Sequence, residues 1–294
     1  MNLEKLLARR ILVLDGAMGT ALLTRGAKGA LEMLNVEQPS TVEALHEAYL
    51  EVGADIITTN TICADALSLA EYGLQERSYE LARAGAEVAR RVADKYSTME
   101  HPRLVAGSVG PTTRNLTLAH DTSAEQMAKV YSDVIRGLKD GGADIILIES
   151  VMDVANAKVA IEECRKIDAE IPIILSAVLS RIAGRVANGA TIAKFLEELP
   201  MEEIAVVGFN CTNGVKPMVD AVKTLSLACD KPIVAYPAAG QPLVAVNHFA
   251  KDMEQMCRAG QLNIIGGCCG TTPEYTKSLA KIASRWRPRK VVKK

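Results

Sequence analysis

The sequence predicts a (β/α)8 barrel, a single α/β domain, for its 294 residues. Three observations predict it. Short apolar runs rich in branched residues recur eight times, each bounded by turn signals. Amphipathic helical stretches separate them, the mark of parallel strands buried on both faces. Polar residues gather at the C-terminal ends of the runs, the side on which barrel active sites lie. A doubly wound open sheet is the alternative, made less attractive by eight strands without a Gly-x-Gly-x-x-Gly turn.

The runs fall at 11–15, 55–60, 103–109, 144–149, 172–178, 204–211, 232–236 and 262–268. The first ends at Gly16 and the third at Gly110-Pro111; the second and fourth follow Gly53-Ala54 and Gly141-Gly142. Between them, 42–51 places Leu45, Ala48 and Tyr49 on one helical face. The stretch 79–95 is rich in Ala, Glu and Arg, good helix formers. Ser123, with Gln126 three residues on, opens a helix to about 140 as a capping box. Further helices are predicted over 154–166, 192–199, 215–227, 249–258 and 274–285. No linker or low-complexity segment interrupts them. One domain therefore covers 1–294, with a core over about 10–285 and a basic tail over 286–294 that includes Arg287, Arg289, Lys290, Lys293 and Lys294.

Hydrophobic residues make up 49%, charged residues 23%, and the net charge is −1. That balance argues for a globular protein and against nucleic-acid binding. No apolar stretch reaches the ~18 residues of a membrane helix. The start, Met1 to Lys5, lacks the layout of a signal peptide. A cytoplasmic location is expected, where the seven cysteines stay reduced and metal binding or burial outweighs disulfides.

Two runs end in cysteine: Ile204 to Cys211, and Leu262 to Cys268, which continues into Cys269. Gly266, Gly267 and Gly270 flank the vicinal pair, allowing a sharp turn and close approach of a ligand. Three thiolates favour zinc, and no fourth ligand is evident, so the site keeps an open position as catalytic zinc does. A vicinal disulfide or two inert buried thiols are the competing readings. An open thiolate-rich zinc activates water poorly but deprotonates a substrate thiol, which stays nucleophilic. The chemistry indicated is thiol alkylation. Asp15 and Glu149 suit a substrate ammonium, and the backbone N–H groups of Gly16 and Ala17 a carboxylate. Cys63, Cys164, Cys229 and Cys257 read as small core residues. His46, His101, His120 and His248 show no ligand spacing.

Six motifs occur together and in order: 14–20 (Leu-Asp-Gly-Ala-Met-Gly-Thr), 53–61 (Gly-Ala-Asp-Ile-Ile-Thr-Thr-Asn-Thr), 107–112 (Gly-Ser-Val-Gly-Pro-Thr), 142–150 (Gly-Ala-Asp-Ile-Ile-Leu-Ile-Glu-Ser), 208–211 (Gly-Phe-Asn-Cys) and 266–273 (Gly-Gly-Cys-Cys-Gly-Thr-Thr-Pro). With them the chain resembles the zinc-dependent homocysteine S-methyltransferase family, and most of all the homocysteine-binding module of cobalamin-dependent methionine synthase. The resemblance implies one zinc ion on Cys211, Cys268 and Cys269, with homocysteine sulfur as fourth ligand. It also implies that Asp15 and Glu149 engage the amino group, and the Gly16-Ala17 backbone and the Thr59 side chain the carboxylate.

The chain departs from the family pattern in places. Ala17 stands where a second glycine is frequent; Ala238, in Pro237-Ala238-Ala239-Gly240, replaces an asparagine; Ile62 and Met152 replace aromatics, implying a different donor or donor protein. No Asp-x-His-x-x-Gly motif is present to hold a corrinoid. The resemblance therefore implies methylcobalamin supplied by a separate corrinoid protein or module. The alternatives are direct use of S-methylmethionine or betaine and, in another class, a non-catalytic zinc-binding barrel scaffold.

Overall fold

The computed structural model describes residues 3–118 and 121–291. Met1, Asn2, His120 and the last tail residues, Lys293 and Lys294 among them, lie outside the described residues.

Eight parallel strands alternate with helices around a barrel. The strands are β1 (Leu12–Val13), β2 (Ile56–Thr58), β3 (Leu104–Val109), β4 (Ile145–Val151), β5 (Ile173–Val178), β6 (Val206–Asn210), β7 (Ile233–Tyr236) and β8 (Ile264–Ile265). Each lies within a predicted run except β4, which continues two residues past Glu149 to Val151. They pair in the order β1-β8-β7-β6-β5-β4-β3-β2. A parallel bridge between Leu14 and Ile56, with Asp15 N–H donating to Ile56 O at 3.0 Å, closes the ring between β1 and β2.

The helices are α1 (Leu3–Arg9), α2 (Gly19–Thr24), α3 (Leu34–Glu37), α4 (Pro39–Glu51), α5 (Ala66–Leu69), α6 (Ser78–Tyr96), α7 (Ala124–Asp140), α8 (Val154–Ile167), α9 (Ile192–Glu198), α10 (Lys216–Ala228), α11 (Val246–Arg258) and α12 (Pro273–Ala283). The eight predicted helices are α4 and α6 to α12. The Ser123–Gln126 capping box is formed at the start of α7. Sequence reading missed α1, α2, α3 and α5, pieces of four to seven residues too short for a helical period to show. Among the described residues no helix is long and apolar enough to cross a membrane.

Alternate strand residues fill the barrel. Leu12 and Leu14, Leu104 and Ala106, Ile145 and Leu147, and Val234 and Tyr236 form one interior cluster with Ile56, Ile174, Val206 and Ile264. The period of two is the strand's own. Leu3 and Leu7 of α1 join this cluster, and the Leu7 carbonyl accepts from Asn263 Nδ2 at 3.4 Å. The opposite strand faces pack against the helices in a larger apolar shell.

The start of β2 and the start of β4 use one device. Asp55 accepts the Val13 N–H at 2.9 Å and pairs with Arg10 and Arg103, at 2.7 and 3.3 Å. Asp144 accepts the Val105 N–H at 2.8 Å and pairs with Arg90 at 2.7 Å. Each carboxylate satisfies a strand amide that the ladder leaves open and is itself neutralised, which suits the stability face of a barrel.

Candidate active site

The interior alternation continues past the apolar layers and becomes polar at the C-terminal mouth. Ile56 leads to Thr58, Ala106 to Ser108, Leu147 to Glu149, Ile174 to Ser176, and Val234 to Tyr236, each by a step of two. These side chains meet. Ser108 Oγ donates to Glu149 Oε1 at 2.5 Å, and Tyr236 OH donates to Glu149 Oε2 at 3.3 Å. The Tyr236 hydroxyl also bonds Ser176 Oγ, which donates to Asn210 Oδ1 at 3.1 Å. Asn210 Nδ2 faces Cys268 Sγ at 4.0 Å. A continuous polar network thus joins Glu149 to the sulfur cluster.

Asp15 lies across the mouth from it. Only 1% exposed, it accepts from Thr58 N at 2.8 Å and Thr58 Oγ1 at 3.0 Å. Burial pushes its pKa well above the usual carboxylate range; the Thr58 bonds oppose the rise and the charge of Glu149 adds to it. Glu149, 7% exposed, is pushed up to about 7 by burial, against the hydrogen bonds from Ser108 and Tyr236. Two buried carboxyls sharing a pocket without a cation among its lining residues suit a ligand that brings its own positive charge.

Cys211, Cys268 and Cys269 converge, with all three sulfurs within 4.8 Å of one another. Cys211 follows β6 at φ +53°, outside the ordinary range for a residue with a side chain. Cys268 and Cys269 hang from β8 by Gly266 and Gly267. A Cβ at Gly267 would run into the Thr271 side chain, so the turn that carries both thiols has room only for glycine. All three thiols are free, and Cys211 Sγ to Cys269 Sγ is 3.4 Å, too long for a disulfide. Hydrogen bonds from Cys211 and then Cys268 pull the pKa of Cys269 down to about 3, and contacts with Cys211 and Cys269 push Cys268 well above the thiol range.

The remaining predicted residues surround the same pocket, a cavity of about 450 Å³ lined by Asp15, Gly16, Ala17, Thr59, Glu149, Cys268 and Cys269 among others. Ala17 N–H donates to Thr271 Oγ1 at 3.2 Å. The Thr59 hydroxyl contacts Thr61 Oγ1 at 2.6 Å and accepts the Ser108 N–H at 2.9 Å. Its neighbour Thr58, which sequence reading did not assign to the site, holds Asp15. Ser176, Tyr236 and Thr271 were also missed as site residues; the step of two along each strand is the signal that could have found the first two. Ala238 lies in a turn held by backbone bonds, Ala238 N–H to Thr212 O at 3.1 Å and Ala239 N–H to Cys269 O at 2.8 Å. Ile62 and Met152 are exposed by 37% and 47%. His248 is exposed on α11.

Fold and mouth together define a (β/α)8 barrel enzyme with a thiol-rich centre able to hold a metal. The family model of homocysteine S-methyltransferase matches residues 12–283. This chain belongs to that family, and so to the methyltransferases. It is 26% identical to the homocysteine methyltransferase MmuM from Escherichia coli; the metallated form of that protein superposes with a TM-score of 0.81, covering 95% of this chain and 98% of that one. The oxidised form of MmuM gives 0.79 over 92% and 95%. A GH18 chitinase from Pseudoalteromonas aurantia, 13% identical, gives 0.55 over 92% and 99%, a likeness of fold alone.

Proposed function

We propose that this protein transfers a methyl group to the sulfur of homocysteine, giving methionine, with one zinc ion on Cys211, Cys268 and Cys269. The observation that carries the reading is the convergence of three free sulfurs on a pocket whose other end holds Asp15 and Glu149. The donor set fits the ion: sulfurs at ~2.3 Å from a tetrahedral zinc lie roughly 3.8 Å apart, and the cluster needs only small shifts to reach that spacing. Bound there, zinc supplies the positive charge that makes thiolate formation favourable near neutral pH.

The protein's own residues orient the acceptor. Asp15 and Glu149 take its ammonium, whose charge offsets the burial of both carboxyls. The carboxylate lies along Gly16, Ala17 and Thr59. There, Ala17 N–H and Thr59 Oγ1 exchange their present partners, Thr271 and Thr61, for the ligand. Tyr236 and Ser108 fix the Glu149 carboxyl, so that the ammonium is held at a set distance from the sulfurs. In the transfer, an electron pair on the homocysteine sulfur forms the new S–CH3 bond while the donor leaves with the pair from its own bond to methyl.

The donor is a methylated corrinoid, as methylcobalamin or on a separate corrinoid protein, a reading supported by the six motifs shared with the synthase module. A second reading, direct use of an onium donor such as S-methylmethionine or betaine, is favoured by a cavity of about 800 Å³ beside Cys211 and Cys269, the size of a small-molecule site. The test is methionine formation from homocysteine by the zinc-loaded protein, run in parallel with methylcobalamin, S-methylmethionine and betaine. Turnover with methylcobalamin alone supports the corrinoid reading, and turnover with an onium donor replaces it. Full zinc and full activity in Cys268→Ala would sink the zinc assignment. A non-catalytic scaffold would bind zinc without any change in metal coordination on adding homocysteine.

A further inference from the structure

The sulfur cluster borders two adjoining cavities that differ in their charged residues. The acceptor pocket is lined by four carboxyl side chains, Asp15, Glu32, Glu71 and Glu149, with no Lys, Arg or His among its lining residues. The larger cavity is lined by Cys211, Cys269 and Gly270, and carries Arg181, Arg185 and Lys216 against one carboxylate, Asp220. Thr20 and Cys269 are the lining residues that the two share.

The cations of the larger cavity are exposed side chains carried on hydrogen-bonded backbone. Arg181 and Arg185 sit on the segment between β5 and α9, which is folded back on itself by antiparallel bridges Leu179 to Val186 and Arg185 to Thr191. Ser180 N–H donates to Arg185 O at 2.9 Å, and Ala187 N–H to Val178 O at 2.8 Å, tying the segment to the end of β5. Lys216 opens α10, five residues after Cys211. Arg185 Nη1 donates to Gly189 O at 2.6 Å, while neither Arg181 nor Lys216 enters an ion pair among the described residues. Like charges gathered without partners in a concave space raise the local potential and concentrate a counter-charged ligand.

We infer that this chamber is the methyl-donor site and that it selects donors bearing an anionic group, a carboxylate or a phosphate, through Arg181, Arg185 and Lys216. The inference rests on the reading of Cys211, Cys268 and Cys269 as the reaction centre. It follows from the charged groups of each cavity: the carboxyl groups of the acceptor pocket suit the ammonium of the acceptor, and Arg181, Arg185 and Lys216 suit an anionic group on the donor. A donor anchored by its anion extends its methyl group past Cys269 and Thr20, which line both cavities, toward the homocysteine sulfur.

The test compares alkylation of the full chain by iodoacetate, which is anionic, and by iodoacetamide, which is neutral, with modified cysteines located by peptide mass spectrometry. In both reactions a thiolate attacks the CH2 carbon, the C–I bond breaks, and iodide leaves with the electron pair. Cys63, exposed at the acidic pocket rather than buried in the core as the sequence suggested, is the internal reference. The iodoacetate-to-iodoacetamide rate ratio is expected to be about tenfold higher at Cys211 than at Cys63. It should fall to the Cys63 value in the double variant Arg181→Glu, Lys216→Glu, fall less in Lys216→Gln, and decline with added salt. Equal ratios in the wild type and both variants would overturn the inference.

With whichever donor turns over, the double variant should raise the donor KM about tenfold while homocysteine KM and zinc content hold. A rise in homocysteine KM instead would assign the chamber to the acceptor and overturn the inference. Carboxylate donors (S-methylmethionine, betaine) compared with phosphate-bearing methylcobalamin tell which anion is read. If no donor supports turnover, the functional reading fails, and the alkylation ratios still decide the charge selection on their own.

Discussion

Asn210 clamps Ser150: its Oδ1 accepts the Ser150 N–H at 3.1 Å and its Nδ2 donates to Ser150 Oγ at 2.8 Å. Ser150 follows Glu149 and sits at φ +57°; Cys211 follows Asn210 and sits at φ +53°. They are the non-glycine residues with positive φ among the described residues. One amide therefore fixes two strained positions, each beside a residue of the candidate site, which is where strain of this kind concentrates. Asn210→Ala removes the partner of both Ser150 groups and leaves the Ser176 hydroxyl with Tyr236 alone. The expected loss is about 1–3 kcal/mol of stability, read by chemical denaturation, together with fewer zinc equivalents retained than in the wild type.

Glu149 sets a pH limit on acceptor binding. Burial holds its pKa at about 7 against a usual 4.5, so in the pocket without ligand Glu149 loses its negative charge as pH falls below 7. Homocysteine KM is expected to rise by up to about tenfold per pH unit below that point, as one proton competes with the ammonium. Glu149→Gln should show a high KM with that pH dependence removed. Stability moves the other way. The folded state keeps a proton that the unfolded chain releases between pH 4.5 and 7, so Glu149 lowers stability as pH rises through that window. Unfolding curves of the wild type and the variant across this range check it.

His46 makes the opposite contribution. Fully buried on α4, with no hydrogen-bond partner for either ring nitrogen, it is held neutral by burial, its pKa lowered from 6.5 to about 3. The unfolded chain takes a proton below pH 6.5 that the folded one refuses, so stability present above 6.5 is lost as pH falls toward 3, at most about 1.4 kcal/mol per unit. His46→Leu should remove that acid slope and be neutral or stabilising at pH 7, because no partner is orphaned. Between pH 4.5 and 6.5 the two slopes oppose each other in the wild type, so each is measured in its own variant.

Gly208 is the tightest point of β6. A Cβ there would overlap the Val234 carbonyl of β7. Gly208→Ala must push the two strands apart just below Asn210 and Cys211. A loss of about 3 kcal/mol or more is expected, seen as poor soluble expression or a lowered Tm, with zinc binding impaired in whatever folds.

Most of the barrel was legible because each strand is buried on both faces and so reads as an unbroken apolar run. Cys211, Cys268, Cys269, Asp15 and Glu149 stood out because charged or thiol groups at the ends of such runs demand a partner or a ligand. Thr58, Ser176 and Tyr236 did not, for a physical reason. Threonine, serine and tyrosine are ordinary strand residues, and only the inward step of two turns their hydroxyls toward Asp15, Asn210 and Glu149. Thr59 shows the same limit: motif likeness selects it, whereas the hydrogen bond to Asp15 comes from the residue before it. The charged chamber was hidden because Arg181 and Arg185 come from the segment between β5 and α9 and Lys216 from the start of α10, and they meet only in the folded barrel.

That Cys269 lines both cavities has a kinetic consequence. Substrates held in separate, adjoining cavities can be resident together, so neither product has to depart before the second reactant arrives. Initial-rate lines at several fixed concentrations of one substrate should intersect rather than run parallel, as for a sequential ternary-complex mechanism, and methionine should inhibit competitively against homocysteine but not against the donor.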